Sequence, residues 1–174
     1  MIKRSVLSAL VLVMSMFFSA CSVTLSGASV PLEMKTINVG FFENNAPLVV
    51  SNLSTLFTEA LKDRIRSQSR LSIVRGEADA IMEGTITGYS IAPVSIQATN
   101  NNTAPIATAS RLTITVSVKY VNNTKDKAKS PNFEQSFSRY TDFTGDINSQ
   151  EQALIRIVNQ QLTEDIFNKA FANW

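Results

Sequence analysis

The residue types that carry most enzyme chemistry are nearly missing from this chain. It has no histidine and a single cysteine, Cys21. A histidine-based triad, a His/Cys metal site and a redox dithiol are therefore excluded on composition. Two carboxylate pairs are close in sequence: Asp79 and Glu83 on one extended stretch, and Asp142 and Asp146 around a turn. Acid/base hydrolysis needs two carboxyls at a fixed separation beside a pocket, and neither spacing implies that; turn or surface roles are the plainer reading. Gly84 and Gly88 belong to no phosphate loop, because no Gly-rich run ends in Lys and Ser or Thr. They fit a bulge or a close backbone approach. What remains is Cys21 and a set of basic residues at strand ends, on a polar strand face or in loops: Arg70, Arg75, Arg111, Lys119, Lys125, Lys127 and Lys129. Such groups suit phosphate or carboxylate on an anionic ligand; the competing reading is a solvated surface charge.

Cys21 stands at the end of an ordered opening. Lys3 and Arg4 are followed by an apolar run from Val6 to Phe18, then by Ser19, Ala20 and the cysteine. This is the layout of an exported pre-sequence. The apolar run is short for a membrane span at 1.5 Å per residue, and a retained helix or plain secretory signal does not account for the cysteine ending. Phe18–Ser19–Ala20–Cys21 resembles the bacterial lipoprotein signal box, with Phe18 in place of the commoner leucine. The resemblance implies cleavage before Cys21, diacylglycerol on its sulfur and an acyl chain on its amine. A thioether sulfur is lost to nucleophilic, metal and disulfide chemistry, and several acyl chains hold far more firmly than one. Ser22 follows, where aspartate would favour the inner membrane, so the outer membrane is favoured. No cofactor and no metal is expected beyond this lipid.

Removing residues 1–20 takes Lys3 and Arg4 from the sixteen basic side chains, leaving fourteen against fourteen acidic ones. A near-neutral chain is no nucleic-acid binder by charge. About 154 residues suffice for one domain. Residues 21–34 read as a lipidated tether and 35–174 as that domain.

Elements follow from periodicity. "KTINVGFF" alternates at Ile37, Val39 and Phe41, with Phe42 on the second face, and predicts a strand; "ENNAPLVV" breaks it. Leu53, Leu56, Phe57, Ala60, Leu61 and Ile65 form a helical stripe capped by Ser51 or Asn52. Arg70–Val74 predicts a short strand and Asp79–Ile91 a longer one, before a polar loop at Asn100–Pro105. In "RLTITVSVKYV", Leu112, Ile114, Val116, Val118 and Tyr120 share one face, and Arg111, Thr113, Thr115, Ser117 and Lys119 the other. A lysine-bearing turn leads to a returning strand at Asn132–Phe143. Asn148 and Glu151 suggest a capping box for a last helix with Leu154, Ile155, Val158, Leu162, Ile166, Ala170 and Phe171 inward. Trp174 either closes the core or meets a partner. The expected fold is α+β: two layers, a four- or five-stranded mostly antiparallel or mixed sheet with two helices on one face.

The order of the signal box, "KTINVGFFENNAPLVV", "LSTLFTEALKDRI", "EADAIMEGTITGY" and "QQLTEDIFNKAFANW" resembles the lipopolysaccharide-assembly lipoprotein family, LptE, in its Bacteroidetes forms. The resemblance implies a non-enzymatic outer-membrane lipoprotein with two helices on a four-stranded sheet. It also implies a partner: a large LptD-like β-barrel translocon that inserts lipopolysaccharide into the outer leaflet, with the lipoprotein as plug and assembly factor on the periplasmic side or in the lumen. The alternative is an envelope lipoprotein serving another secretion or cell-wall-associated assembly, without lipopolysaccharide handling.

Overall fold

The structure is a computed structural model, and it describes residues 30–48, 50–94, 109–125 and 127–172. Cys21, the Asn100–Pro105 loop and Trp174 lie outside the described residues.

Among the described residues six strands and two helices follow one another as β1 (Thr36–Val39), β2 (Glu43–Asn44), α1 (Leu53–Gln68), β3 (Ser72–Ile73), β4 (Ala80–Val94), β5 (Ala109–Asn122), β6 (Phe133–Phe143) and α2 (Glu151–Phe171), the last preceded by a 3-10 turn at Ile147–Ser149. The sheet order is β3-β1-β4-β5-β6, with β2 also pairing β4. β1 runs parallel to both β3 and β4, and β2 parallel to β4. The long ladders, β4–β5 and β5–β6, are antiparallel. The sheet is thus mixed and six-stranded, where four or five strands were expected. The additional strand is Glu43–Asn44, inside the stretch read as a break, and the predicted strand at Arg70–Val74 contracts to Ser72–Ile73. Both are two-residue strands whose pairing is set by distant β4 and β1, so no local period marks them.

The alternation in β5 holds along its length: Leu112, Ile114, Val116, Val118 and Tyr120 are fully buried. β1 departs from the predicted face assignment. Ile37 and Val39 are buried, but Phe41 is 60% exposed while Phe42 is fully buried, because the alternation slips by one residue after Gly40. Phe42 stacks edge-on to Phe57 of α1 at 5.1 Å, and its N–H donates to the buried Thr58 hydroxyl. That packing depends on Gly84 of β4. A Cβ there would lie 2.1 Å from the Ser117 carbonyl oxygen and 2.7 Å from the Phe42 ring.

Both helices cover this same core. Leu53, Phe57, Leu61 and Ile65 of α1 and the whole predicted stripe of α2 are buried, whereas Leu56 is more than a third exposed. Tyr120 meets Phe171 of α2 edge-on at 5.6 Å. Its hydroxyl lies 2.6 Å from Ser130 Oγ, which donates to the Ala170 carbonyl, so a buried phenol is satisfied by a relay that ties the β5–β6 connection to the end of α2. Burial pushes the Tyr120 pKa up to about 12. At the opposite end, Tyr89 donates to Glu151 Oε1 at 2.8 Å; burial, then this carboxylate, raises the phenol further. The packed core also takes in Met34, fully buried.

Asn52, one of the two predicted caps, holds the N-cap position of α1 but does not bond through its side chain, and the cap predicted for α2 is displaced. Asn52 precedes α1 in a left-handed conformation, φ 67°, with no side-chain cap bond. At α2 the cap position falls to Gln150, again without a side-chain cap bond, and Asn148 lies in the preceding 3-10 turn, where its N–H donates to the Asp146 carboxylate that caps that turn.

Candidate functional site

The face of the sheet away from the helices is built from β4, β5 and β6 residues in register. Thr85, Ser117 and Ser136 align across the three strands, as do Gly88, Thr115 and Ser138. Thr115 and Ser138 hydroxyls are 3.0 Å apart. A bulge at Thr87 shifts the β4 register between Ile86 and Gly88, and the Thr87 hydroxyl donates to the Thr115 carbonyl. The centre of this face is therefore uncharged and rich in hydroxyls, groups that both donate and accept.

Charges frame it and are largely matched within it. Arg111 makes a two-pronged bond to Asp142, at 2.7 and 2.9 Å, and lies 3.7 Å over the Tyr140 ring. Hydrogen bonding to this guanidinium holds the Asp142 carboxyl below its ordinary range and raises Arg111. Lys119 is 3.6 Å from Glu83, with Glu134 opposite it on β6. Two of the sequence candidates thus already have anionic partners from the chain itself. Exposed pairs of this kind contribute little to stability.

Arg70 is used differently: its Nη2 donates to the Val30 and Pro31 carbonyls at 3.3 and 3.0 Å, holding the segment that leads into the domain. Arg75 lies exposed in the turn before β4, beside a small concavity of about 220 Å³ shared with Lys62 and Arg66. Those two neighbours are bonded to Glu59 and Asp63. Lys125, Lys127 and Lys129 are exposed in the β5–β6 connection, whose base is tied down by Asn122, donating to Ser130 O and accepting from Thr124.

The seven basic candidates do not form one site. Arg111 lies toward the far end of β5, Lys119 toward its near end, and the rest gather at one end of the domain. There the chain enters at Val30, β1, β4 and β6 begin, and both helices finish. Sequence periodicity placed Arg111 and Lys119 on the polar face correctly, but their carboxylate partners are 31 and 36 residues away and depend on strand register. Lys62 and Arg66 lie on α1 outside its apolar stripe, and nothing in their local spacing marks their meeting with Arg75.

The carboxylates considered for acid/base work have other tasks. Asp79 Oδ2 accepts from Lys35 N, Thr36 N and the Thr36 hydroxyl, at 2.9 to 3.0 Å, and the Lys35 N–H, then those of Thr36, hold its pKa below the usual range. Among the described residues no three His, Cys, Asp or Glu gather as metal ligands, and no helix is long and apolar enough to cross a membrane.

The mixed sheet is thus screened on one face by two helices, and its polar, hydroxyl-lined face is left uncovered by the described residues. The family model for lipopolysaccharide assembly, LptE, matches residues 34–170. The chain belongs to that family, and the resemblance read from the quoted segments extends over that span. No curated protein matches it by sequence. Among solved structures it is similar to the hypothetical protein CT253 from Chlamydia trachomatis, at 11% identity over 80% of this chain and 99% of that one, TM-score 0.53. The rare lipoprotein B from Shewanella oneidensis matches at 13% identity, over 77% and 92%, TM-score 0.52. Protein XCC0632 from Xanthomonas campestris matches at 9%, over 76% and 81%, TM-score 0.52. At such identities the likeness is one of fold.

Proposed function

We propose that this protein is a non-enzymatic lipoprotein, acylated at Cys21 and held on the periplasmic side of the outer membrane, that acts as plug and assembly partner of a large β-barrel translocon for lipopolysaccharide. Family membership supplies the process; the observation that carries the plug role is the hydroxyl-rich outer sheet face. A barrel lumen is polar, and a face of Thr and Ser whose flanking charges are paired internally can lie against it without stranding a charge. An apolar face would suit lipid instead.

The basic residues divide accordingly. Arg70, Arg75, Lys125, Lys127 and Lys129 stand at the end where the chain comes in from Cys21. The intervening residues reach at most about 30 Å when extended, so this end sits nearest the leaflet and meets phosphate groups of lipopolysaccharide there. Arg111 and Lys119 meet saccharide carboxylate or phosphate at the margin of that sheet face as a further partner, with Asp142 and Glu83 kept in place.

Crosslinking of the intact lipoprotein in its native envelope tests the reading. Capture of one large β-barrel supports it; recovery of no barrel under conditions that retain other outer-membrane complexes sinks it. Reversing charge at Lys125, Lys127 and Lys129 together should weaken lipopolysaccharide binding with folding preserved. Unchanged binding removes that connection from the site.

A further inference from the structure

β5 divides its backbone between two neighbours. Asn123 N donates to Asp79 O on the β4 side, and the Thr115 carbonyl accepts from Thr87 there. Asn122 N instead donates to the Asn132 side chain, on the β6 side. In an antiparallel strand the direction of N–H and C=O alternates from residue to residue, so the even-numbered residues of β5 serve β6. Their register partners are Phe133, Gln135, Phe137, Arg139 and Thr141. The alternate residues Glu134, Ser136, Ser138, Tyr140 and Asp142 therefore aim their N–H and C=O away from the sheet.

Nothing among the described residues pairs with that side of β6. Natural edges are ordinarily blunted by brevity, a bulge, proline or lysine. β6 has eleven residues without proline, glycine or lysine, and its register with β5 runs unbroken. Beside it, a groove of about 470 Å³ opens between β6 and α2, lined in part by Gln135, Phe137, Asn168 and Lys169. Asp165 in the groove is bonded to Arg139 at 2.7 Å, whereas Lys169 has no carboxylate within salt-bridge reach among the described residues.

We infer that the β6 edge and this groove form a docking site for an extended strand from a partner protein, the barrel-forming chain of the reading above, on which this inference rests. Backbone donors and acceptors along β6 recognise the strand's main chain. The groove admits its inward side chains, an apolar one over Phe137 and an acidic one toward Lys169. A second copy is the poorer occupant: the two-fold register that pairs β6 along its whole length centres on Ser138 and sets Glu134 opposite Asp142, and like charges directly opposed are destabilising.

Amide hydrogen exchange on the intact lipoprotein, free in detergent and in complex with the barrel that copurifies with it, tests this. The Gln135, Phe137 and Arg139 amides exchange slowly in both states, and those of Ser136, Ser138 and Tyr140 slow by about tenfold or more only in the complex. Outward amides that stay fast in the complex overturn the proposal while leaving the barrel reading intact; outward amides already slow in the free lipoprotein mean that its own chain or a second copy covers the edge, which also overturns it. Absence of any copurifying barrel defeats both. Ser136→Pro removes an outward donor at an edge position where proline is tolerated. It should keep the inward protection and reduce barrel retention by about tenfold, with Ser136→Ala unchanged; equal retention by the proline variant refutes strand docking. Should the proline variant fail to fold, the wild-type exchange pattern decides alone.

Discussion

Replacing Gly84 by alanine tests whether the Phe42 seat is closed by backbone or by side chain. The added Cβ would stand 2.1 Å from the Ser117 carbonyl oxygen and 2.7 Å from the Phe42 ring. An aromatic ring can tilt, but a carbonyl in the β4–β5 ladder moves only with its strand. Overpacking costs about 1–3 kcal/mol, and loosening one ladder bond adds about 1 kcal/mol. Replacing glycine in a strand returns about 0.5–1 kcal/mol. The net expectation is a loss of about 2–3 kcal/mol, a fall in Tm of about 6–9 °C for a domain of this size. A double-mutant cycle with Phe42→Leu, followed by thermal and urea unfolding of the unacylated protein, separates the two obstacles. If the carbonyl dominates, at least about half of the alanine penalty persists in the leucine background. A Gly84→Ala protein within about 0.5 kcal/mol of wild type refutes the close approach, and a penalty abolished by Phe42→Leu assigns it to the ring.

Three further outcomes follow from buried or bonded polar groups. The Asp79 carboxyl has a folded pKa below its unfolded value, so its stabilisation is complete above about pH 4 and is lost as pH falls through the folded value; Asp79→Asn should cost about 1 kcal/mol at neutral pH, and the gap to wild type should close in acid, as denaturant curves over a pH series will show. Ser130→Ala leaves the Tyr120 hydroxyl and the Ala170 carbonyl without their shared partner, a loss of about 2–3 kcal/mol that adding Tyr120→Phe should partly restore; no restoration contradicts the relay. Asn159 Oδ1 is buried without a hydrogen-bond partner among the described residues, so Asn159→Leu should raise stability by about 1 kcal/mol, and a lowered Tm argues against that.

The parts of the fold that announce themselves in the sequence are those whose burial is decided along one element. The β5 alternation and the α2 stripe transfer residue for residue to the core, because each presents one unbroken face to one layer. β2 and β3 do not, being two-residue strands that exist because β4 and β1 pass beside them. The slip after Gly40 that buries Phe42 rather than Phe41 is set by the room opposite Gly84, which no window around Phe42 contains. The candidate site divides the same way. A polar face with Arg111 and Lys119 on it was legible from period alone. That these cations are already matched by Asp142 and Glu83 was not, because a cross-strand partner is known only once the register is known. Likewise, "NFEQSFSRYTDF" reads as a strand from its pattern, but its place at the rim of the sheet comes from the order in which distant strands assemble.

That order also governs when the domain can close during synthesis. β1, the first strand, gains its β4 neighbour only after some forty further residues, with Ile37 set against Ala80. The inner surface of β5 and β6 stays open until α2 arrives at the very end with Leu154, Ile155, Val158, Leu162, Ile166 and Phe171. The β4–β5 and β5–β6 ladders join strands adjacent in sequence, yet the apolar face they share gains its helical cover only from α2, which follows them.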